Sequence, residues 1–165
     1  MHQKILKYFL SGFIFAMLIS CETETVYSEY HQLSNGFWQV NDTIKFNFSE
    51  LNAKEKYNVF LNLRNDNNFE YSNLFLITEL NQPNGQTILD TLEYEMAMPD
   101  GTWLGKGSGS VKENKLWYRE NIDFSDKGVY TLKVTHAMRQ SGKVDGVATL
   151  NGITDIGLEI TKINK

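Results

Sequence analysis

The feature that most constrains the fold is an alternation of apolar and polar side chains with a period of two. Successive side chains of a β-strand point to opposite faces, so this pattern predicts strands with one face on a core and the other in water. Phe60 is an exception, an aromatic residue at a position where the alternation predicts a polar one. The segment NLFLITEL (73–80) is apolar on both faces, which predicts a central, covered strand. The alternating segments are 44–48, 57–64, 91–96, 130–134 and 156–161.

Turn signals separate these segments. Asn84-Gly85 lies between two strand-like runs, and Asn-Gly is a strong hairpin signal because both residues accept positive φ. No long amphipathic helical pattern interrupts the series. About seven to nine short strands at roughly ten-residue spacing predict an all-β fold, a single antiparallel β-sandwich. Ig-like and jelly-roll arrangements both remain open at this stage. Further turn candidates are Asp100-Gly101, Lys127-Gly128 and Asn151-Gly152.

The amino terminus has the pattern of a bacterial lipoprotein signal. Lys4 and Lys7 precede an apolar segment, 8–19, which is short for a membrane-spanning helix of about 20 residues. Leu18-Ile19-Ser20-Cys21 resembles a lipobox, in which the cysteine is lipidated and the chain is cut before it. Cys21 is the only cysteine, so it forms no internal disulfide. We interpret it as a lipid anchor; the alternative is a buried free thiol behind an ordinary signal peptide.

The predicted division of the chain follows from this signal. A lipoprotein signal peptide covers 1–20, the lipidated cysteine and a short tether cover 21–29, and a β-sandwich domain covers 30–165. Removal of Lys4 and Lys7 with the signal leaves 14 basic and 20 acidic side chains, a net charge of −6. That charge is unsuited to nucleic acid, whose binding depends on neutralising phosphates. It also disfavours electrostatic adhesion to anionic headgroups, so we expect membrane attachment through lipid alone.

The sequence contains no complete catalytic or metal-binding pattern. His31 and His136 are far apart in sequence and no cluster of ligands accompanies them. Segment 105–110 is glycine-rich but lacks the helix that follows a phosphate-binding loop. Segment 64–73 is rich in Asp and Asn but lacks the EF-hand spacing. We therefore expect no enzyme activity, no cofactor and no metal. A hydrolase would require His136 beside a serine or carboxylate in a pocket.

Most of the chain between residues 26 and 160 resembles a known family, the gliding motility lipoprotein GldH family of the Bacteroidota. The resemblance implies a lipid-anchored envelope protein needed for gliding, where movement is linked to type IX secretion. The one site residue that the resemblance implies for this chain is the lipidated cysteine, here Cys21. The resembling segments, in order behind the lipobox, are VYSEYHQL (26–33), 57–80, 99–124, GVYTLKVTHAMR (128–139) and GITDIGLEI (152–160).

The resemblance also implies partners and a compartment. The partners would be other envelope proteins of the gliding or type IX secretion apparatus. Many surface lipoproteins of this phylum have Lys or Gln and a compact acidic run after the cysteine. Here Glu22 and Glu24 are separated by Thr23, and no Lys follows Cys21. We therefore expect a protein on the outer membrane that faces the periplasm.

The functional hypothesis from the sequence is a non-enzymatic accessory or scaffold subunit that binds another envelope protein. Loops on a rigid β-scaffold commonly carry recognition, so 64–73 and 99–115 are the candidate contact loops. The alternative is a glycan- or peptidoglycan-binding lipoprotein that stacks sugars on Trp103, Trp117 or Tyr118. These three aromatic residues could instead simply pack in the core or in the loops. The candidate contact residues are Arg64, Asp66, Asn68, Tyr71, Trp103, Lys106 and Trp117.

Overall fold

A computed structural model describes residues 24–49, 51–140 and 142–163. The predicted signal peptide and the lipidation site Cys21 lie outside the described residues. Within those ranges, no helix has the length and apolar character needed to cross a membrane.

The described residues form ten β-strands, and the hydrogen-bonded neighbours are antiparallel. One turn of 3-10 helix, Ser34–Gly36, precedes the second strand. The strands are β1 (Thr25–Gln32), β2 (Phe37–Gln39), β3 (Ile44–Phe48), β4 (Tyr57–Asn65), β5 (Asn73–Asn81), β6 (Thr87–Glu95), β7 (Lys112–Ile122), β8 (Tyr130–His136), β9 (Thr149–Asn151) and β10 (Ile153–Lys162).

The eight longer strands form two four-stranded sheets. The first sheet has the order β1-β10-β4-β7 and the second has the order β3-β8-β5-β6, while β2 and β9 pair as a short ribbon. Counted without the ribbon, the two orders are first-eighth-third-sixth and second-seventh-fourth-fifth, the strand order of a jelly roll with its two Greek keys. The predicted β-sandwich is confirmed, and of the two arrangements left open the chain adopts the jelly roll.

The core lies between the two sheets and is built by the predicted alternation. Leu61 and Leu63 of β4, Leu132 and Val134 of β8 and Ile156 of β10 are all buried. Full burial of one such side chain contributes about 1.5–3 kcal/mol. Four aromatic rings close the core at one end, with ring centroids 5.0–5.8 Å apart: Phe48, Tyr57, Phe124 and Tyr130.

The prediction that both faces of segment 73–80 are covered is wrong. β5 is central, between β8 and β6, but its outer face carries Phe75, Ile77 and Glu79 in alternation with the buried residues. Ile77 is 38% exposed. The apolar run on both faces therefore reflects two apolar residues on the outer face, of which Ile77 is exposed and Phe75 is partly buried.

The predicted boundary between tether and domain also differs from the structure. β1 begins at Thr25 and pairs with β10, so residues 25–29 belong to the first sheet. The Tyr27 side chain packs against the core, and its hydroxyl donates a hydrogen bond to Glu29, whose carboxylate also contacts the His31 ring. Two of the side chains that share the inward side of this edge strand, Glu29 and His31, are polar or charged. The strand therefore lacks the alternation of apolar and polar residues by which the other strands were predicted.

The sandwich has two distinct ends because consecutive strands reverse direction. The connections 33–43, 66–72, 96–111 and 137–152 lie at one end, called here the loop end. The connections 49–56, 82–86 and 123–129 lie at the other end, where β1 also begins. We call this the amino-terminal end, and the Lys162 amide donates there to the Glu24 carbonyl at 2.8 Å.

Candidate functional site

The loop end brings the two predicted contact loops together although they leave different strands. The Met96 amide donates to the Ser72 carbonyl at 2.7 Å, and the rings of Phe69 and Trp103 are 6.1 Å apart. The Asp66 amide donates to the Gly152 carbonyl at 2.8 Å, and this hydrogen bond joins the first loop to the connection before β10. Residues 66–72 and 96–103 of the two loops therefore form one continuous surface with the turn at Gly152.

Several of the predicted contact residues also build the loops. The Asp66 carboxylate accepts hydrogen bonds from the Asn68 amide at 2.8 Å and from its side chain at 3.0 Å, which holds the turn. Tyr71 and Trp103 are half-buried, and both pack against the buried Phe69. These four side chains shape the loop end, and Asp66 and Asn68 line a shallow cleft of about 440 Å³ there.

The loop end also carries a concentration of exposed apolar side chains. Twelve large hydrophobic residues are exposed in the described chain. One of them, Val129, lies in a connection at the amino-terminal end. Exposed apolar groups that share one region of a protein often mark a binding surface. Six lie on the loop-end connections and their ribbon: Phe37, Val40, Met98, Leu104, Val111 and Val144.

Arg64, Lys106 and Trp117 contribute to a different surface, the outer face of the first sheet. The Arg64 guanidinium lies 4.9 Å from the centre of the Tyr30 ring and 3.6 Å from the Glu113 carboxylate. Lys106 pairs through its backbone with Glu113, with both hydrogen bonds at 2.8 Å. Trp117 lies in the middle of β7 and is 53% exposed. The structure therefore places Trp117 on the flank of the sandwich, away from the loops.

Sequence reasoning missed the polar cluster at the centre of this outer face. The Glu159 carboxylate accepts hydrogen bonds from the Asn62 amide at 2.9 Å and from the Lys115 ammonium at 2.8 Å. Burial raises the pKa of Glu159, but these hydrogen bonds outweigh burial and hold that pKa below its usual range. The carboxylate is therefore ionised at neutral pH. The available signal was Phe60, which breaks the polar alternation beside Asn62.

The three aromatics proposed to stack sugars do not share a platform. Trp103 packs at the loop end and Trp117 lies on the outer face. Tyr118 is buried, with its hydroxyl 3.4 Å from the Asp90 carboxylate, which also binds Arg119 at 2.5 Å. Burial raises the pKa of Tyr118 above its usual value. Of the three side chains, Trp117 is the one available for stacking on an open surface.

His136 is buried in the core. Its Nε2 atom donates to the Trp38 carbonyl at 3.1 Å, and its ring packs edge-on against the Trp38 indole at 5.4 Å. The Nδ1 atom has no hydrogen-bond partner within the described ranges, and burial lowers the pKa of His136. Neither a serine nor a carboxylate bonds to this ring among the residues described. In the same part of the chain, no group of three or more His, Cys, Asp or Glu is placed to hold a metal.

The strand order, the loop end and the outer face define a jelly-roll domain with two separate surfaces suited to binding. The family model for the GldH lipoprotein matches residues 25–160. The chain belongs to the GldH lipoprotein family, and membership of a lipoprotein family makes it a membrane-anchored protein of the cell envelope.

Two curated relatives resemble the chain over most of its length. It is 45% identical over 152 residues to the gliding motility lipoprotein GldH homolog of Christiangramia forsetii, a match that covers 91% of this chain and 93% of the relative. It is 44% identical over 144 residues to the gliding motility lipoprotein GldH of Flavobacterium johnsoniae, with 87% and 89% covered.

Solved structures show weaker likeness. The insecticidal delta-endotoxin Cry8Ea1 from Bacillus thuringiensis matches with a TM-score of 0.39 and 15% identity, over 75% of this chain and 20% of the toxin chain. The VP2 subviral particle of infectious bursal disease virus matches with a TM-score of 0.36 and 17% identity, over 85% of this chain and 32% of that chain. The chain spans about a fifth to a third of these proteins.

Proposed function

We propose that this protein takes part in bacterial gliding motility as a lipid-anchored, non-enzymatic accessory or scaffold subunit. It binds another envelope protein of the gliding or type IX secretion apparatus through its loop end. The names of the two curated relatives support the process. The observation that carries the binding role is the concentration of exposed apolar side chains at the loop end.

The position of the anchor supports this choice of surface. Glu24, the first described residue, lies three positions after Cys21, and even fully extended these three steps of chain reach about 11 Å. The chain enters the fold at the amino-terminal end, and β1 has eight residues, which carry it about 25 Å along the sandwich. A lipid at Cys21 therefore holds the amino-terminal end near the membrane and leaves the loop end free to meet a partner.

The chemistry of the loop end fits a protein partner. Met98 and Val144 are exposed apolar side chains of the loop end, and the exposed Phe37 lines its cleft together with the amide and carboxylate groups of Asp66, Asn68 and Glu70. Protein interfaces typically have an apolar centre inside a polar rim. We place the protein on the outer membrane facing the periplasm, where such a surface would meet other envelope proteins.

Crosslinking in living cells tests the proposal. A photo-crosslinking amino acid at Met98 or Val144 should capture a protein whose own deletion stops gliding. The same amino acid at Val129, exposed at the amino-terminal end, is the matched control and should not capture it. Met98→Asp and Val144→Asp should abolish capture and gliding, whereas Val129→Asp should not. Equal capture from all three positions, or adducts to glycan alone, would refute the proposal.

The anchor has its own test. Cys21→Ala removes the acceptor of the lipid, so the protein should remain unprocessed or lose its membrane location, and gliding should stop. Fractionation and immunoblotting measure both changes. Normal sorting and normal gliding of this variant would contradict the anchoring role of Cys21.

A further inference from the structure

We propose that the outer face of the first sheet binds a saccharide chain, with Trp117 as the stacking residue. This surface lies on the flank of the sandwich and shares only residues 104–107 with the loop end, so Trp117 tests it separately from the loop-end proposal. Its ligand class is a polymer of uncharged pyranose rings. Three features of the face support this class: a supported exposed indole, an adjacent polar cleft and a balanced charge.

The indole of Trp117 is exposed and yet held in place. Its ring lies 4.4 Å from the Phe60 ring, directly across the register between β4 and β7. Phe60 is 7% exposed, because Trp117 and the Lys115 ammonium, 4.2 Å above its ring, cover it. The Tyr94 hydroxyl donates to the Trp117 carbonyl at 2.7 Å. A fixed, exposed indole offers a flat apolar face, which suits the C–H face of a sugar ring.

A cleft of about 580 Å³ opens on the same face, walled on one side by residues 104–107. Its size is that of sites which bind small molecules, about 300–1,000 Å³. Its floor is polar, since Asn62, Lys115 and Glu159 line it and hold one another by hydrogen bonds. Asn62 is 2% exposed. Such fixed donors and acceptors match a ligand rich in hydroxyl groups, which both donates and accepts hydrogen bonds.

The charge of the cleft favours an uncharged ligand. Glu95, Glu113 and Glu159 face Lys106 and Lys115, and the Arg64 guanidinium adjoins Glu113. Three carboxylates are thus balanced by three cations, so neither a polyanion nor a polycation gains much from this site.

A second aromatic residue lies at the opposite edge of the same face. The Tyr30 ring packs flat over Gly157, where an added Cβ would be 2.7 Å from the ring. Its hydroxyl donates to Glu113 at 3.0 Å, and burial together with this contact raises the pKa of Tyr30 to about 12. Tyr30 and Trp117 lie on β1 and β7, the two edge strands, whose backbones are roughly 14 Å apart, and the Tyr30 side chain reaches across the sheet to Glu113 of β7. A chain of several rings would contact both.

Binding measurements on the full mature protein in detergent test the site. One arm uses N-acetylglucosamine oligomers, an uncharged stand-in for the wall glycan, and the other uses delipidated neutral surface polysaccharide, with calorimetry and tryptophan fluorescence as readouts. At least one polymer should bind. Trp117→Ala should weaken that binding by about tenfold or more, and Trp117→Phe by less, because a smaller ring still stacks. Leu89→Ala, an exposed position on the second sheet, is the matched control and should bind like wild type.

The outcomes separate cleanly. The polymer that binds identifies the source of the saccharide. If Trp117→Ala fails to fold by circular dichroism, Glu159→Gln provides the second test, since it keeps the shape of the side chain and removes the charge that fixes Lys115. Absence of binding by the wild type to both polymers, or wild-type affinity in these variants, would overturn the proposal.

Discussion

At the scale of single residues, Gly152 shows how the loop end is fixed. It has φ +80 and follows Asn151 in the turn between β9 and β10. Its amide donates to the Gly36 carbonyl at 2.9 Å, and its carbonyl accepts from the Asp66 amide at 2.8 Å. One residue thereby joins three connections of the loop end. The absence of a side chain is essential, because a Cβ would lie 2.1 Å from the Phe69 nitrogen.

A pair of glycine substitutions separates backbone strain from this close contact. Gly85 has a similar φ of +85 but no atom within 4 Å of an added Cβ. Gly85→Ala should therefore cost only the strain of the left-handed conformation, about 1–2 kcal/mol. Gly152→Ala should cost at least about twice as much, because backbone must also move. Urea unfolding measures both values, and equal losses would show that the contact with Phe69 relaxes freely.

Stability should depend on pH through His136. Burial lowers its pKa in the folded protein, opposed by the hydrogen bond to Trp38 and by attraction from Asp42. In the unfolded chain the pKa is about 6.5. Above that pH neither state is protonated. Below it the unfolded state takes up the proton first, so the free energy of unfolding falls until the pH passes the folded pKa.

Urea unfolding between pH 7.5 and 5.5 measures this loss. His136→Gln should flatten the pH dependence of the free energy of unfolding in that range. His31→Gln, at the partly exposed histidine beside Glu29, is the control and should keep the pH dependence that His136 causes. A wild-type slope in His136→Gln would assign the pH dependence to other groups.

At the scale of elements, periodicity predicted the strands that build the core and missed those at its margins. The alternating segments 57–64, 130–134 and 156–161 lie in β4, β8 and β10. β2 and β9 have three residues each, too few for a pattern to appear. Trp117 of the outer face was predicted as a stacking residue, but the polar cluster beside it was missed because its members meet only after folding: Asn62 and Glu159 are 97 positions apart. Phe60, two positions before Asn62, was the sequence signal for this cluster.

Truncation tests whether β1 belongs to the domain. A fragment of residues 24–165 should unfold cooperatively, because it keeps the pairing of β1 with β10. A fragment of 33–165 loses that pairing and the packing of Tyr27, and it exposes the edge of β10. Its free energy of unfolding should fall by about 3 kcal/mol or more. Thermal and urea unfolding compare the two fragments, and equal stability would return residues 25–32 to the tether.

At the scale of the whole molecule, the jelly roll keeps the proposed sites of attachment and recognition apart. Every connection between the strands lies at one of two ends, and the chain enters at the end opposite the apolar loops. The polar outer face lies between them, along the flank. The proposals thus assign the lipid anchor, the saccharide-binding flank and the protein-binding distal surface to three different parts of one fold, each open to separate disruption.

The orientation of the domain follows from the same geometry and is testable in vesicles. Cys21 is the only cysteine, so in the lipidated protein an introduced cysteine is the one free thiol for a fluorophore. A fluorophore at Val129→Cys should be quenched strongly by headgroup-attached quenchers, because Val129 lies at the amino-terminal end, where the chain enters the fold. A fluorophore at Val144→Cys should be quenched far less, since β1 places the loop end about 25 Å further away. Equal quenching at the two positions would mean that the domain lies flat on the bilayer, with its loop end beside the lipid and in competition with it for the partner.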